Sequence, residues 1–300
     1  MPSTTIPPRA LAMLCIVTLL WGTNWPLFKL ATREVSVWTF RGVAVVVAGL
    51  TLLAAARLRG QSLALPRRYW PTVVGGTMLY LVFWDIGSTY AAVLIPSGQA
   101  AILGFTMPLW AALIGWWFLG QRLTPRLALA LALGATAVGL LMWRSLPAYA
   151  EAPLGFALGL ATGLTWALGT IVLKRNMPPV PAAVLTGWQM LICAVPTVIG
   201  AFVLGEGPWF VPSWQSIAVI AYIALIPMAI GNFAWFSIVG LLPTTLAGLS
   251  TISVPMVAMV AGALLWREPL GPTQWLAMAC SATALWLALG GQRVPSREDR

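Results

Sequence analysis

The sequence predicts an all-α, polytopic membrane protein, with ten transmembrane helices forming two inverted five-helix repeats around a central cavity. Three observations carry this expectation. Only 8% of the 300 residues are charged, against about a quarter in soluble domains. Hydrophobic residues make up 60% of the chain and the mean hydropathy is +0.88. The two halves also repeat one another at a fixed offset. Since a helix needs about 20 apolar residues to cross a bilayer, ten spans with short turns consume the chain.

Apolar runs bounded by charge, proline or glycine fall at about 11–31, 36–56, 70–91, 97–119, 126–143, 154–173, 182–204, 215–237, 243–266 and 273–290. The first run continues through Trp21-Gly22-Thr23-Asn24-Trp25-Pro26 with no small-residue cleavage site, so it reads as a retained span. With the N-terminus inside, one face collects Arg9, Arg57, Arg59, Arg67, Arg68, Arg122, Arg126, Lys174, Arg175, Arg293, Arg297 and Arg300. The other receives Arg33, Arg144 and Arg267. Basic residues concentrate on the cytoplasmic side, so both termini are expected there, in a bacterial-type inner membrane.

The repeat rests on prolines and turns rather than on leucine-rich matches. Adding 147 takes Pro96 and Pro108 to Pro243 and Pro255, Thr124-Pro125 to Gly271-Pro272, and Asp85 to Asn232. Trp21 and Lys29 are spaced like Trp166 and Lys174. Five spans per half is odd, so a first unit at 1–147 and a second at 148–300 must enter the membrane in opposite senses. Pro108 and Pro255 lie mid-span, where proline frees the carbonyl four residues earlier. Paired breaks of this kind point to a transport site with these prolines as hinges, the alternative being packing kinks.

Ionisable groups at bilayer depth are costly and mark function by default. Asp85 is the one carboxylate at depth. It either binds a substrate ammonium or a proton, or pairs with Lys29, Arg41 or backbone. Lys29 and Arg41 read as residues near the outer span ends, snorkelling to the interface. Among uncharged polar residues, Asn24, Ser88, Gln99, Asn232 and Ser253 are cavity candidates. Of the 17 tryptophans, Trp21, Trp84, Trp110, Trp166, Trp188 and Trp235 sit deep, beyond an interfacial belt. Packing is their plain reading. For Trp21 and Trp166, related by the repeat, a cavity wall is preferred, and Trp84 and Trp235 join the candidate site.

The order of these motifs resembles the EamA-type drug/metabolite transporter family. The resemblance rests on the Trp21–Pro26 stretch, Arg41 opening span two, the Pro96–Pro108 and Pro243–Pro255 segments, and the turns at Gly120–Leu123 and Arg267–Leu270. It covers the whole chain, and the Trp-rich core looks closest to the family's exporters of aromatic amino acids. One departure stands: the usual acidic residue before span five is Gln121 here, so no role is carried to that position. The resemblance implies export of amino acids, aromatic and other amphipathic ones, or of related metabolites, by alternating access. The alternatives are a multidrug or other metabolite permease of the same family, or a structural subunit without transport.

Other classes lack parts. Histidine is absent, which removes the commonest general base and metal ligand. Cys15, Cys193 and Cys280 are scattered in apolar runs, so they read as buried apolar thiols and imply neither disulfide nor metal. No enzyme, cofactor or metal is expected. The +10 net charge forms no basic face for nucleic acid. The expected partners are a small-molecule substrate and the lipid bilayer, with the chain working as a monomer.

Overall fold

The computed structural model describes residues 8–120, 124–205, 212–241, 251–267 and 270–289. Among these there is no strand. Eight helical segments are long and apolar enough to cross a membrane, and Val254–Leu265 is a shorter apolar helix. The chain is therefore a multi-pass helical membrane protein. Pro243, Gln121 and Trp209 lie outside the described residues.

The helices are α1 (Pro8–Ala31), α2 (Val37–Leu58), α3 (Trp70–Thr77), α4 (Phe83–Leu94), α5 (Ser97–Gly104), α6 (Met107–Leu119) and α7 (Pro125–Glu151). They continue as α8 (Pro153–Arg175), α9 (Ala182–Leu204), α10 (Trp214–Ile223), α11 (Gly231–Leu241), α12 (Val254–Trp266) and α13 (Pro272–Leu289). Ser36 starts α2 by accepting the Thr39 N–H, and Ser213 starts α10 by accepting the Ser216 N–H. Glu34 links these two starts: its carboxylate accepts the Ser213 N–H and hydroxyl, both at 2.9 Å. Hydrogen bonding from Ser216 and from Ser213 holds that carboxyl below its ordinary range.

Two features escaped the apolar pattern. The third span is one rod in which α3 and α4 are joined by a π-helical turn, Met78–Val82. The eighth joins α10 and α11 through a second such turn, Ala224–Ile230, which contains Pro227. A π-turn closes its backbone hydrogen bonds five residues apart, and such turns inside α-helices occur mostly at functional sites. Both turns sit where the 147-residue offset places them opposite one another. The fourth span is broken outright at Phe105-Thr106, between α5 and α6, so Pro108 lies in the first turn of a new helix. Pro255 lies in the first turn of α12, behind a short 3-10 turn, Thr251–Ser253. At that position the missing N–H costs nothing.

The offset extends to the helix boundaries. α6 and α12 begin and end 147 residues apart, and each is closed by a left-handed residue, Gly120 (φ 61°) and Arg267 (φ 54°). α7 and α13 both start on a proline, Pro125 and Pro272. Packing follows the same exchange. α2 lies along α9 and α7 along α13, while α4 on α8 is matched by α11 on α1, and α5 on α8 by α12 on α1.

Close approach of α8 to the irregular spans depends on small residues. A Cβ built on Gly169 would stand 2.6 Å from the Tyr80 nitrogen and 2.7 Å from the Gly76 carbonyl oxygen. One on Gly163 would stand 3.0 Å from the Gly104 carbonyl, at the break of the fourth span. Apolar side chains cover the periphery, including Trp117, Trp143 and Trp214, as a lipid-facing surface requires. Cys15 is exposed on that periphery, unlike the buried thiol expected of it, because its face of α1 is turned outward.

Gly169→Val should therefore force α8 off the π-turn, with an overpacking cost of about 1–3 kcal/mol or more. Gly139→Ala, with nothing within 4 Å, should be silent. Thermal unfolding of both purified variants in one detergent checks this; equal midpoints would contradict the packing.

Candidate functional site

The centre of the molecule is an aromatic cage. Trp21 of α1 meets Trp166 of α8 at 5.4 Å between ring centroids, and Trp84 of α4 meets Trp166 at 4.5 Å. Trp235 of α11 closes the group, 5.3 Å from Trp166 and 5.7 Å from Trp21. Trp25 and Phe105 complete it through edge contacts with Trp84. Most pairs are tilted or edge-on, the arrangement that sets positive ring edges against negative faces.

The cage encloses a cavity of about 30 Å³, room for a single water. Its walls are contributed by α1 (Trp21, Asn24, Trp25, Phe28), α2 (Arg41), α4 (Trp84, Asp85) and α8 (Trp166). The backbone irregularities contribute the rest: Tyr80 from the first π-turn, Pro227 and Met228 from the second, Phe105 from the break, and Asn232 from the start of α11. Irregular backbone at membrane depth is tolerated where it is buried in protein or lines a cavity, and here the two π-turns and the break converge on one. The Trp21 Nε1–H donates to the Pro227 carbonyl at 3.1 Å. The Tyr80 hydroxyl donates to Asn232 Oδ1, and Asn232 Nδ2 donates to the Met228 carbonyl at 2.9 Å.

Charge at this site is paired. Arg41 Nη1 lies 3.3 Å from Asp85 Oδ1, with both side chains about 97–98% buried. The Arg41 Nε–H donates to Thr89 Oγ1 at 2.6 Å, and that hydroxyl donates to the Asp85 carbonyl at 2.7 Å. The guanidinium lies over the Phe28 and Phe40 rings, 4.4 and 4.9 Å from their centroids. The Cys193 thiol of α9 donates to Asp85 Oδ2 at 3.7 Å. The interfacial reading of Arg41 is thus corrected. It stands only in the second turn of α2, but Asp85 draws it inward, because a lone carboxylate in hydrocarbon surroundings costs far more than a paired one.

The sequence candidates separate into groups. Trp21, Asn24, Trp84, Asp85, Trp166 and Asn232 come together at the cavity, with Trp235 packed behind them. Gln99 lines a different, larger cavity of about 560 Å³, with Lys29, Arg144, Ser145 and Gln274, on the face that carries the α1–α2 and α7–α8 turns. Ser88 is buried on α4, and Ser253 lies in the turn before α12; neither lines these cavities. Of the other deep indoles, Trp188 packs on Trp70 and donates to the Leu63 carbonyl, while Trp110 donates to Thr106 beside the break. Trp25, Phe28, Tyr80, Phe105 and Met228 were missed. Trp25 was in view as part of the Trp21–Pro26 stretch; Tyr80 and Met228 arrive through π-turns that no sequence period announces.

A model of the EamA-like transporter family matches residues 8–143 and again residues 153–290. The chain belongs to the EamA-like transporter family. It is similar to the uncharacterized transporter YvbV of Bacillus subtilis, 24% identical over 265 residues that cover 87% of this chain and 85% of that one. The uncharacterized inner membrane transporter YedA of Escherichia coli is 26% identical over 278 residues, covering 91% and 88%. A probable amino-acid metabolite efflux pump of Escherichia coli is 25% identical over 290 residues, covering 93% and 94%. A solved crystal structure shares the fold at a TM-score of 0.73 and 21% identity, covering 93% of this chain and 96% of that one. YvbV, YedA and the efflux pump are named as transporters or pumps, not enzymes.

Removing one member of the ion pair should be worse than removing both. Arg41→Leu or Asp85→Leu alone leaves a buried charge and should cost about 3–5 kcal/mol, whereas the double replacement should recover most of it. Thermal midpoints of the three variants, measured as a cycle, check this. A double variant as unstable as the sum of the singles would contradict it.

Proposed function

We propose that this EamA-like protein is an inner-membrane exporter of small amphipathic metabolites, amino acids first among them and aromatic ones in particular. It works by alternating access between two inverted five-helix halves, with Pro108 and Pro255 as hinges, both termini cytoplasmic, and the monomer as the working unit. One observation carries the reading: an indole-walled cavity at bilayer depth on which two π-turns and a broken span converge. A packed structural subunit has no need of such a set, since π-turns and broken spans at membrane depth gather where backbone lines a cavity or a functional site.

The supporting facts are of three kinds. Helix boundaries, left-handed caps and packing partners recur at the same offset, and the family model matches the chain twice; both favour a duplicated, two-half machine. Export of amino-acid metabolites is in the name of one full-length relative. A volume of about 30 Å³ is far below the ~300 Å³ of a small-ligand site, so the walls must part for a substrate to enter, as alternating access demands.

The test is flux through purified protein in liposomes, with labelled amino acids, cationic drugs and sugar phosphates as the panel. Amphipathic amino acids should cross fastest, and Trp166→Ala should reduce that flux about tenfold or more through loss of the central ring contacts. Uptake confined to the drugs would favour a multidrug permease; no flux for any compound would favour a non-transporting role.

A further inference from the structure

The polar atoms left over at the central cavity form a set. Arg41 Nη2, Trp166 Nε1 and Asn24 Oδ1 have no hydrogen-bond partner, and they belong to three residues that are more than nine-tenths buried and line the same cavity. Two of them donate and one accepts. Buried polar groups are nearly always paired, and each exception calls for a reason.

Charge supplies a second constraint. Of the described residues lining this cavity, only Arg41 and Asp85 carry charge, and they cancel. Lys29 faces the other cavity. A ligand with no net charge leaves the middle of the bilayer neutral. A bare amine or a bare carboxylate adds a unit of charge where water cannot screen it.

Resting on the transport reading above, we propose that the Arg41, Trp166 and Asn24 set recognises the zwitterionic head of an α-amino acid, with the Arg41–Asp85 pair filtering for zero net charge. The substrate carboxylate accepts from Arg41 Nη2 and Trp166 Nε1. Its ammonium donates to Asn24 Oδ1, in a cavity that Asp85 also lines. The apolar side chain takes the space that opens among Trp21, Trp84 and Trp166. Arg41 thereby becomes a specificity-determining residue as well as half of an ion pair.

Displacement of labelled L-phenylalanine from the purified protein at pH 7 tests this. Unlabelled phenylalanine should compete. Phenethylamine, 3-phenylpropanoate and phenylalanine methyl ester should each be weaker by about tenfold or more, each lacking half of the head. Two variants move the charge of the site in opposite directions. Asn24→Asp makes it negative and should raise competition by phenethylamine relative to phenylalanine. Asp85→Asn makes it positive and should do the same for 3-phenylpropanoate; if that variant does not fold, Asn24→Asp decides alone. The inference is overturned if phenethylamine matches phenylalanine on the unaltered protein, or if the charge changes weaken every ligand equally. It is also overturned if uncharged solutes bind and cross while phenylalanine does not, an outcome that leaves transport standing. A protein that binds and moves nothing from the panel would sink the transport reading instead.

Discussion

The ion pair between Arg41 and Asp85 is the constraint around which the rest of the membrane core is arranged. Two opposite charges buried at bilayer depth attract strongly only when geometry and further hydrogen bonds offset the loss of water. Here the offset comes from four directions. Thr89 takes the Nε–H, two phenyl rings lie against the guanidinium, the Cys193 thiol reaches the second carboxylate oxygen, and Met228 sulfur lies 3.8 Å from Nη1. These partners come from α1, α2, α4, α9 and the second π-turn, so the pair fastens both halves of the chain to one point. Nη2 remains unpartnered, on a residue that lines the cavity.

Around that point the backbone departs from regular helix where a wall is needed. The π-turns carry Tyr80 and Met228 into the cavity, and the break after α5 presents Phe105. Thr106 secures the break by donating its hydroxyl to the Leu103 carbonyl while accepting from Trp110 Nε1. Gly163 and Gly169 let α8 lie against these irregular segments at backbone distance, which sets Trp166 at the hub of the indoles. Small residues, broken spans and aromatic cage are parts of one arrangement.

Much of this was readable from the chain. Hydropathy located the described spans to within a few residues, except that α7 runs on through Pro147 to Glu151. The offset of 147 links Asp85 with Asn232 in the sequence, and both line the cavity. Depth along a span, however, does not say which way a residue faces. Ser88 stands one turn beyond Asp85 on α4 and is not among the residues lining the cavity, while Gln99, in the first turn of α5, lines the larger one with Lys29 and Arg144. Arg41 shows the same limit: a position near a span end need not be near water when a buried carboxylate draws the side chain inward. The π-turns were invisible for a simpler reason: they shift the helical phase by a single residue, within the slack of an apolar run in which nearly every position is hydrophobic.

Accessibility of the cavity from the two sides of the membrane tests the account most directly. With Cys15, Cys193 and Cys280 replaced, a single cysteine at Asn24 would be exposed to a membrane-impermeant thiol reagent, applied separately to each face of oriented vesicles. Labelling is expected from both faces, and more slowly when phenylalanine is present. A cysteine that reacts from one face only, or from neither, and at a rate indifferent to phenylalanine would contradict it.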